Sequence, residues 1–294
     1  MARLLGGKCK PLIGVVHLPP LPGSIGYMAR RWPPGSGKLW SLDDIIEYAV
    51  SEAKAYIDSG FDAVIIENYG DTPYPKRPGP LQVAAMTRVV GEVVRSLGGE
   101  RVGVNMLRNG AAEAIAVASA TGASFARVNS LCEARLTPEG LIEPESRRAA
   151  MALRLLGSLD EGAPAILADV DVKHSRPLAS YSLRDAVKDC IERSGIPISA
   201  IVVTGRSTGS EASPGDLEDA ASAARPYGIA VVVGSGITSA NLPRFWHLAD
   251  AFIVGSSVKV GGAPWNPVDR SKASAIASLA SQYRRYGEEC SQQA

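Results

Sequence analysis

The chain has 294 residues, enough for one large domain, and 46% of them are hydrophobic while 21% are charged. A formal net charge of +1 excludes the strong overall positive field that nucleic-acid-binding proteins often carry, so we expect no nucleic-acid partner. The longest apolar runs are the length of a β-strand, far short of the roughly 20 residues that span a bilayer, so we expect no transmembrane segment.

The N-terminal residues and the cysteines indicate where the protein resides. The first ten residues lack the long apolar stretch of a secretory signal. Cys9, Cys132, Cys190 and Cys290 are far apart, with no CxxC pair and no cysteine–histidine cluster of zinc spacing. We therefore predict free, structural thiols in a reducing compartment and a cytoplasmic protein.

Short strand-like runs alternate with longer, alanine-rich helical stretches along the chain. The predicted strands are Pro11–His17, Phe61–Ile66, Val102–Met106, Ser124–Val128, Pro164–Ala168, Ala200–Thr204, Ile229–Val233 and Ala251–Val254. The first helix is predicted to begin at an N-cap, Ser41, and to end at Gly60. The later helices are predicted from Pro80, over Ala111–Ala120, Glu145–Leu156, Leu183–Arg193 and Pro214–Ala224, from near Ser239, and over Pro267–Tyr286.

Eight strands that alternate with eight helices require parallel pairing through right-handed crossovers. An open doubly wound sheet would satisfy this, but it would leave two edges, and no GxGxxG motif follows the first strand. We therefore predict a single α/β domain over residues 1–294, folded as a (β/α)8 TIM barrel. In such barrels the active site lies at the C-terminal ends of the strands.

Glycine and hydroxyl residues follow the last three predicted strands. They are Gly205, Thr208 and Gly209 after the sixth strand, Gly234, Ser235 and Gly236 after the seventh, and Gly255 and Ser256 after the eighth. Backbone amides in glycine-rich loops can surround an anion, and TIM barrels often bind phosphate here. The alternative is that the glycines only permit tight strand ends. Three such loops together favour a phosphate site.

An acid–base cluster leaves the fifth predicted strand. If the chain stays extended there, Asp169, Asp171 and Lys173 lie on one side of it. Lys173 would then serve as a general acid or electrostatic clamp, with a carboxylate as the base. A neighbouring carboxylate would keep Lys173 charged, which argues against a Schiff-base role unless burial dominates. The alternative is a structural salt bridge that closes the barrel mouth.

Polar residues also end the first four predicted strands. His17 and Glu67 are further acid–base candidates. The predicted substrate-binding residues are Asn68, Asn105, Arg108, Arg127, Asn129 and His174. These side chains could instead pair with each other and plug the top of the barrel. His17, Glu67 and Asp169 could bind a divalent metal, but their spacing matches no ligand motif, so we assign no metal and leave the cofactor unknown.

Segments along most of the chain resemble the BtpA family. They are Pro11–Gly23, Glu67–Asp71, Gly103–Asn109, Phe125–Asn129, Leu167–His174, Val203–Gly205, Gly234–Gly236 and Ile253–Lys259. The resemblance implies a TIM barrel of the ribulose-phosphate-binding type. Because cyanobacterial members are described as photosystem I biogenesis factors, it also implies an assembly role as an alternative to catalysis.

A second, shorter resemblance concerns the acid–base cluster. Asp171 and Lys173 resemble the start of the DxKxxD motif of orotidine-phosphate decarboxylase relatives, but Arg176 occupies the position of the final aspartate. This departure argues against a decarboxylase. It leaves an acid–lysine pair in a phosphate-binding barrel.

The sequence thus supports two hypotheses. The first is an enzyme that acts on a small phosphorylated metabolite, either a sugar phosphate or a nucleotide-like compound, by isomerase, lyase or hydrolase chemistry. Its partner would be this small anionic ligand, and a homo-oligomer is left open. The second hypothesis is a non-catalytic biogenesis or assembly factor. A polar barrel mouth favours the enzyme, because a protein that only binds other proteins does not need one.

Overall fold

A computed structural model of the protein describes residue 5, residues 8–29, 32–36, 38–157 and 162–286, and residue 290. Its strands are β1 (Leu12–His17), β2 (Ala63–Glu67), β3 (Val102–Asn105), β4 (Phe125–Val128), β5 (Arg135–Thr137), β6 (Gly140–Ile142), β7 (Ala165–Val170), β8 (Arg176–Pro177), β9 (Ala200–Val203), β10 (Ala230–Val233) and β11 (Ala251–Val254). Eight of them close into a parallel barrel in the order β1–β2–β3–β4–β7–β9–β10–β11. The predicted TIM barrel is confirmed.

Helices follow the barrel strands and cover the outside of the barrel. They are α1 (Leu42–Asp58), α2 (Pro80–Leu97), α3 (Ala111–Thr121), α4 (Ser146–Leu155), α5 (Leu183–Arg193), α6 (Pro214–Ala224), α7 (Leu242–Phe245) and α8 (Arg270–Tyr286). The predicted cap of α1 is confirmed, because the Ser41 hydroxyl accepts a hydrogen bond from the Asp44 amide at 3.2 Å. Helix α8 begins three residues later than predicted, because Asp269 caps it through the amides of Ser271 and Lys272.

The eight barrel strands are buried on both faces and therefore form two apolar cores. One fills the barrel and includes Ile13, Ile65 and Phe125, while the other lies between the strands and the helices. Gly103 leaves space for the ring of Phe125 inside the barrel, because a Cβ at Gly103 would lie 2.1 Å from that ring. The packing thus fixes the positions of the strands and the direction of their polar ends.

A small antiparallel sheet, ordered β6–β5–β8, joins the loops that follow β4 and β7. The sequence analysis did not predict it, because strands of two or three residues carry too little alternation to be recognised. Arg135 on β5 holds it in place through hydrogen bonds to Ser175 Oγ at 2.9 Å and to the Tyr181 hydroxyl at 2.5 Å. Arg135 also forms an ion pair with Asp171.

The prediction of free cysteines is wrong. All four cysteines lie among the described residues, and they form the disulfides Cys9–Cys290 and Cys132–Cys190. The partners are separated by 281 and 58 residues, so spacing in the sequence could not pair them. Closure of the barrel brings the start of β1 near the end of α8, and it places the loop after β4 beside α5.

Two other predictions concern membrane-spanning segments and the number of domains. Among the described residues, no helix has the length and apolar character needed to cross a membrane. The single domain over residues 1–294 stays a prediction, and residues 1–4 and 291–294 lie outside the described residues.

Candidate active site

A pocket of about 260 Å³ lies at the C-terminal ends of the barrel strands. Eleven of the sequence-predicted residues line it: His17, Glu67, Arg127, Lys173, Thr208, Gly209, Gly234, Ser235, Gly236, Gly255 and Ser256. They come from seven of the eight barrel strands or the loops that follow them. Because the strands are parallel, their carboxyl ends meet at one end of the barrel, and the loops close around a common space.

The floor of the pocket contains a buried ion pair. Arg127 on β4 donates two hydrogen bonds to Asp169 on β7, at 2.8 and 2.9 Å, and Asn129 donates a third at 3.3 Å. Burial opposes the charged form of Arg127, but Asp169 raises its pKa above the ordinary value. Asp169 does not line the pocket, and its carboxylate is fully engaged as the counter-ion of Arg127. The geometry thus gives it a positioning role rather than that of a free base.

Asp171 does not join Asp169 and Lys173 on one side of the strand. Strand β7 ends at Val170, and Asp171 has a left-handed backbone with φ of 54°, which interrupts the two-residue alternation of an extended chain. Its side chain turns away from the pocket to Arg135 and is 54% exposed. The predicted extended stripe is therefore wrong at Asp171.

Lys173 extends into the pocket from a rigid backbone. Its amide donates to Thr204 Oγ1 at 3.0 Å, and its carbonyl accepts from Arg108 at 2.7 Å. Among the described residues, its ammonium group makes neither a hydrogen bond nor an ion pair. Burial lowers the pKa of Lys173 below its ordinary value, while Glu67 opposes that effect. Within the described part of the chain, the ammonium group of Lys173 thus lines the pocket without a fixed partner.

His17 and Glu67 lie on adjacent strands at the pocket wall. His17 Nε2 is 3.9 Å from Glu67 Oε1, and Glu67 Oε2 accepts a hydrogen bond from Asn105 at 2.7 Å. Burial, and then the charges of Lys259 and Lys173, hold the pKa of His17 well below its usual range. The imidazole is therefore neutral at pH 7. A neutral imidazole beside a carboxylate can accept or relay a proton.

The low pKa of His17 predicts a pH-dependent stability. Below a pH of about 6.5 the unfolded state binds a proton that folded His17 rejects, so stability should fall as the pH decreases by about 1.4 kcal/mol per unit. Urea unfolding at pH 7.5 and pH 5 gives the loss in the free energy of unfolding. We expect this loss to be smaller in His17→Gln than in the wild-type protein, because the variant lacks the histidine that takes up the proton on unfolding. His247→Gln, at an exposed position, is the control. An equal loss in wild type and His17→Gln would contradict the prediction.

The loops after β10 and β11 supply unused backbone donors. Ser235, Gly236, Ser256 and Ser257 line the pocket, and their amides donate to no other described residue. Main-chain amides of this kind can bind an anion. The loops that follow the final two barrel strands are also where TIM barrels commonly bind phosphate.

Two predicted phosphate-site glycines, Gly205 and Gly236, have structural roles. The amide of Gly205 donates to Ser235 Oγ at 2.8 Å, and Gly205 does not line the pocket. Gly236 has φ of 76°, and a Cβ there would lie 2.4 Å from Glu211 Cα. Both glycines allow the loops after β9 and β10 to pack closely, as the alternative interpretation proposed. For Gly236 this role accompanies its place at the pocket.

Five of the predicted substrate-binding residues do not line the pocket. Both ends of the Asn68 amide are bound, to Asp71 at 2.9 Å and to the Leu107 amide at 2.6 Å. Arg108 holds the carbonyl of Lys173, and Asn105 and Asn129 hold the carboxylates described above. His174 Nε2 contacts Thr208 Oγ1 at 3.0 Å. Asn105, Arg108 and His174 thus contact Glu67, Lys173 and Thr208, which line the pocket. This agrees in part with the alternative that the polar residues at the strand ends pair with each other.

The sequence analysis missed several residues of the site. Val15, Thr238, Ile253, Ser257 and Gly262 also line the pocket. Lys259, which follows β11, is fully buried and pairs with Glu52 of α1 at 2.6 Å. Its partner is 207 residues away, so no local pattern could have indicated the pair. The pair anchors the loop that presents Ser256 and Ser257.

The alternative of a divalent metal gains no support from the arrangement. Within the described ranges, no group of three or more histidine, cysteine, aspartate or glutamate side chains is placed to hold a metal ion. Of the three candidates, Asp169 is engaged by Arg127, while only His17 and Glu67 face each other.

Comparisons with known proteins agree with this architecture. The sequence profile of the BtpA family matches residues 8–282. The protein PH1209 of Pyrococcus horikoshii is 41% identical over 276 residues, which cover 94% of this chain and 97% of that protein. The photosystem I biogenesis protein BtpA of Synechocystis sp. is 42% identical over 267 residues, which cover 90% of this chain and 86% of that protein.

Among solved structures, tryptophan synthase of Mycobacterium tuberculosis superposes with a TM-score of 0.55 at 18% identity, covering 92% of each chain. At this identity the likeness shows the fold alone. Fold and pocket together define a (β/α)8 barrel protein with a polar pocket at the C-terminal ends of its strands. The sequence comparisons are more specific: the chain belongs to the BtpA family.

Proposed function

We propose that this protein is an enzyme that acts on a small phosphorylated metabolite at the C-terminal end of the barrel. The loops after β10 and β11 bind the phosphate. Lys173, His17 and Glu67 carry the acid–base chemistry, with Arg127 as a fixed cation on the pocket floor. We further propose that the protein works in the cytoplasm and that it binds no nucleic acid.

One observation carries this proposal: a cation and four backbone amides that find no acceptor among the described residues line the same pocket. Lys173 and the amides of Ser235, Gly236, Ser256 and Ser257 all offer hydrogens and none offers an acceptor. Polar groups removed from water are normally paired in proteins. An oxyanion with several acceptor oxygens would satisfy the four amides at once, and phosphate is such a group. Lys173 adds positive charge to the same pocket.

The phosphate site predicts a specific charge effect. Replacing Ser256 with aspartate places a carboxylate among the pocket amides, and like charges at a binding site oppose each other. We expect Ser256→Asp to weaken binding of glycerol 3-phosphate at least about tenfold by isothermal titration calorimetry. Ser222→Asp, the same change at an exposed position of α6, should leave the affinity unchanged. Equal affinity in the two variants, or no binding to the wild-type protein, would contradict the proposal.

The second candidate is a non-catalytic assembly factor. It is favoured by one observation, the name of the Synechocystis relative, a photosystem I biogenesis protein. A factor of this kind would use its outer surface, so substitutions in the pocket would not affect its partners. The assembly factor would be favoured over the enzyme if Lys173→Met still formed a complex with a protein partner and the wild-type protein bound no glycerol 3-phosphate.

A further inference from the structure

We propose that Lys173 is a covalent catalytic residue whose Nζ forms a Schiff base with the carbonyl carbon of a phosphorylated aldehyde or ketone. This inference rests on the proposed function, because the phosphate site holds one end of the ligand. It names the substrate class that the proposed function leaves open. It also names the atom that attacks the substrate.

The first argument compares Lys173, which is partly exposed at the pocket, with two buried lysines. Lys10 donates to the carbonyls of Trp246 and Ala249, at 2.5 and 2.9 Å, and Lys259 donates to Glu52 at 2.6 Å. Both ammonium groups are satisfied, as is usual for buried charges. Lys173 differs, since no described residue accepts from its Nζ. A structural lysine needs a partner inside the protein, whereas a nucleophile has to be left accessible to the substrate.

The second argument concerns the charges that surround Lys173. The two nearby carboxylates are already engaged, Asp169 with Arg127 and Glu67 with Asn105. Burial lowers the pKa of Lys173, and the positive charges of Arg127 and Arg108 act in the same direction, while Glu67 and Asp169 oppose them. Only the neutral amine has the lone pair that attacks a carbonyl, and lysines that form Schiff bases are activated by desolvation and neighbouring cations. The surroundings of Lys173 are of this kind.

The third argument is that the backbone of Lys173 is fixed on both sides. Its amide and its carbonyl are held by Thr204 and Arg108, on two other loops of the barrel. A fixed backbone limits the positions that Nζ can reach, which favours attack on a carbonyl carbon held at one place in the pocket. The phosphate-binding amides line the same pocket and would fix the other end of the molecule.

The reaction balances with groups that are present. The lone pair of Nζ forms the C–N bond while the carbonyl π electrons move to oxygen, and a proton passes from nitrogen to that oxygen. The nitrogen lone pair then forms C=N as the C–O bond breaks, and the oxygen leaves as water after it receives a second proton. His17 and Glu67 line the pocket and are the residues placed to transfer these protons. The net change is amine plus carbonyl compound plus a proton giving iminium and water.

Borohydride trapping tests this inference directly. The wild-type protein is incubated with glyceraldehyde 3-phosphate and sodium borohydride, and the intact mass and tryptic peptides are then measured. We expect one reduced adduct per chain, located on Lys173. It should be absent from Lys173→Arg and retained in Lys272→Arg, a change at an exposed lysine of α8. Glyceraldehyde without phosphate should react at least about tenfold more slowly, and glycerol 3-phosphate, which lacks a carbonyl, should give no adduct.

The outcomes separate this inference from the proposed function. If glycerol 3-phosphate binds but peptide mapping of the wild-type protein finds no adduct on Lys173, the Schiff base is excluded and the phosphate site stands. If the adducts are spread over exposed lysines and persist in Lys173→Arg, the inference is also overturned. Mapping on the wild-type chain makes the result independent of whether Lys173→Arg folds. If trapping occurs at Lys173 without any dependence on phosphate, the phosphate site fails instead.

Discussion

Replacing Asp169 with alanine should destabilise the protein by about 3–5 kcal/mol, because it leaves the buried guanidinium of Arg127 without its counter-ion. The two side chains are 1% and 0% exposed, and two hydrogen bonds join them. The free energy of unfolding from urea denaturation at pH 7 measures the effect.

A matched control exists on the surface of the same protein. Arg270 and Asp58 form an ion pair with side chains 59% and 58% exposed. Exposed pairs contribute less than about 1 kcal/mol, so Asp58→Ala should change the stability little. A similar loss in Asp169→Ala and Asp58→Ala would show that Arg127 does not depend on Asp169. Because Arg127 forms part of the pocket floor, we also expect Asp169→Ala to weaken binding of glycerol 3-phosphate.

Reduction of the Cys132–Cys190 disulfide should lower the free energy of unfolding by about 4 kcal/mol, because the bond closes a loop of 58 residues in the unfolded chain. The variant Cys9→Ser/Cys290→Ser isolates this bond, because no other cysteine pair remains. Guanidinium unfolding of that variant with and without a phosphine reductant gives the difference in stability. The reductant should also release two thiols per chain.

The control for this measurement is a chain with neither disulfide. Changing all four cysteines, with alanine at Cys132 and Cys190, should give a protein whose stability does not respond to the reductant. If the isolating variant carries two free thiols before reduction, or if its stability is the same in both conditions, the Cys132–Cys190 bond does not stabilise the protein.

Much of the barrel was predictable because the information is local. Each predicted strand agrees with an observed barrel strand to within two residues at either end, and Ala251–Val254 agrees at both ends. Runs of β-branched residues bounded by glycine or proline are sufficient to indicate a strand, and the helical spacing after each run indicates the crossover. Parallel pairing then follows from connectivity alone, and it brings the polar strand ends together.

The candidate site was predicted in composition more accurately than in the roles of its residues. His17, Glu67 and Lys173 were expected to face one pocket, and they line it. Asp169 and Asp171, two residues apart, were expected to act together. One is buried as the counter-ion of Arg127, and the other leaves the strand for Arg135 on a sheet that the sequence did not reveal.

The sequence by itself determined the alternation of strands and helices, the closed barrel and the polar end at which the loops meet. It also placed the chain in its family through motifs spread over most of its length. Only the tertiary structure decided which charges pair, which cysteines bond, and that the ammonium group of Lys173 has no partner among the described residues. The physical reason is that periodicity depends on neighbouring residues, whereas partners such as Glu52 and Lys259 meet only after the barrel has closed.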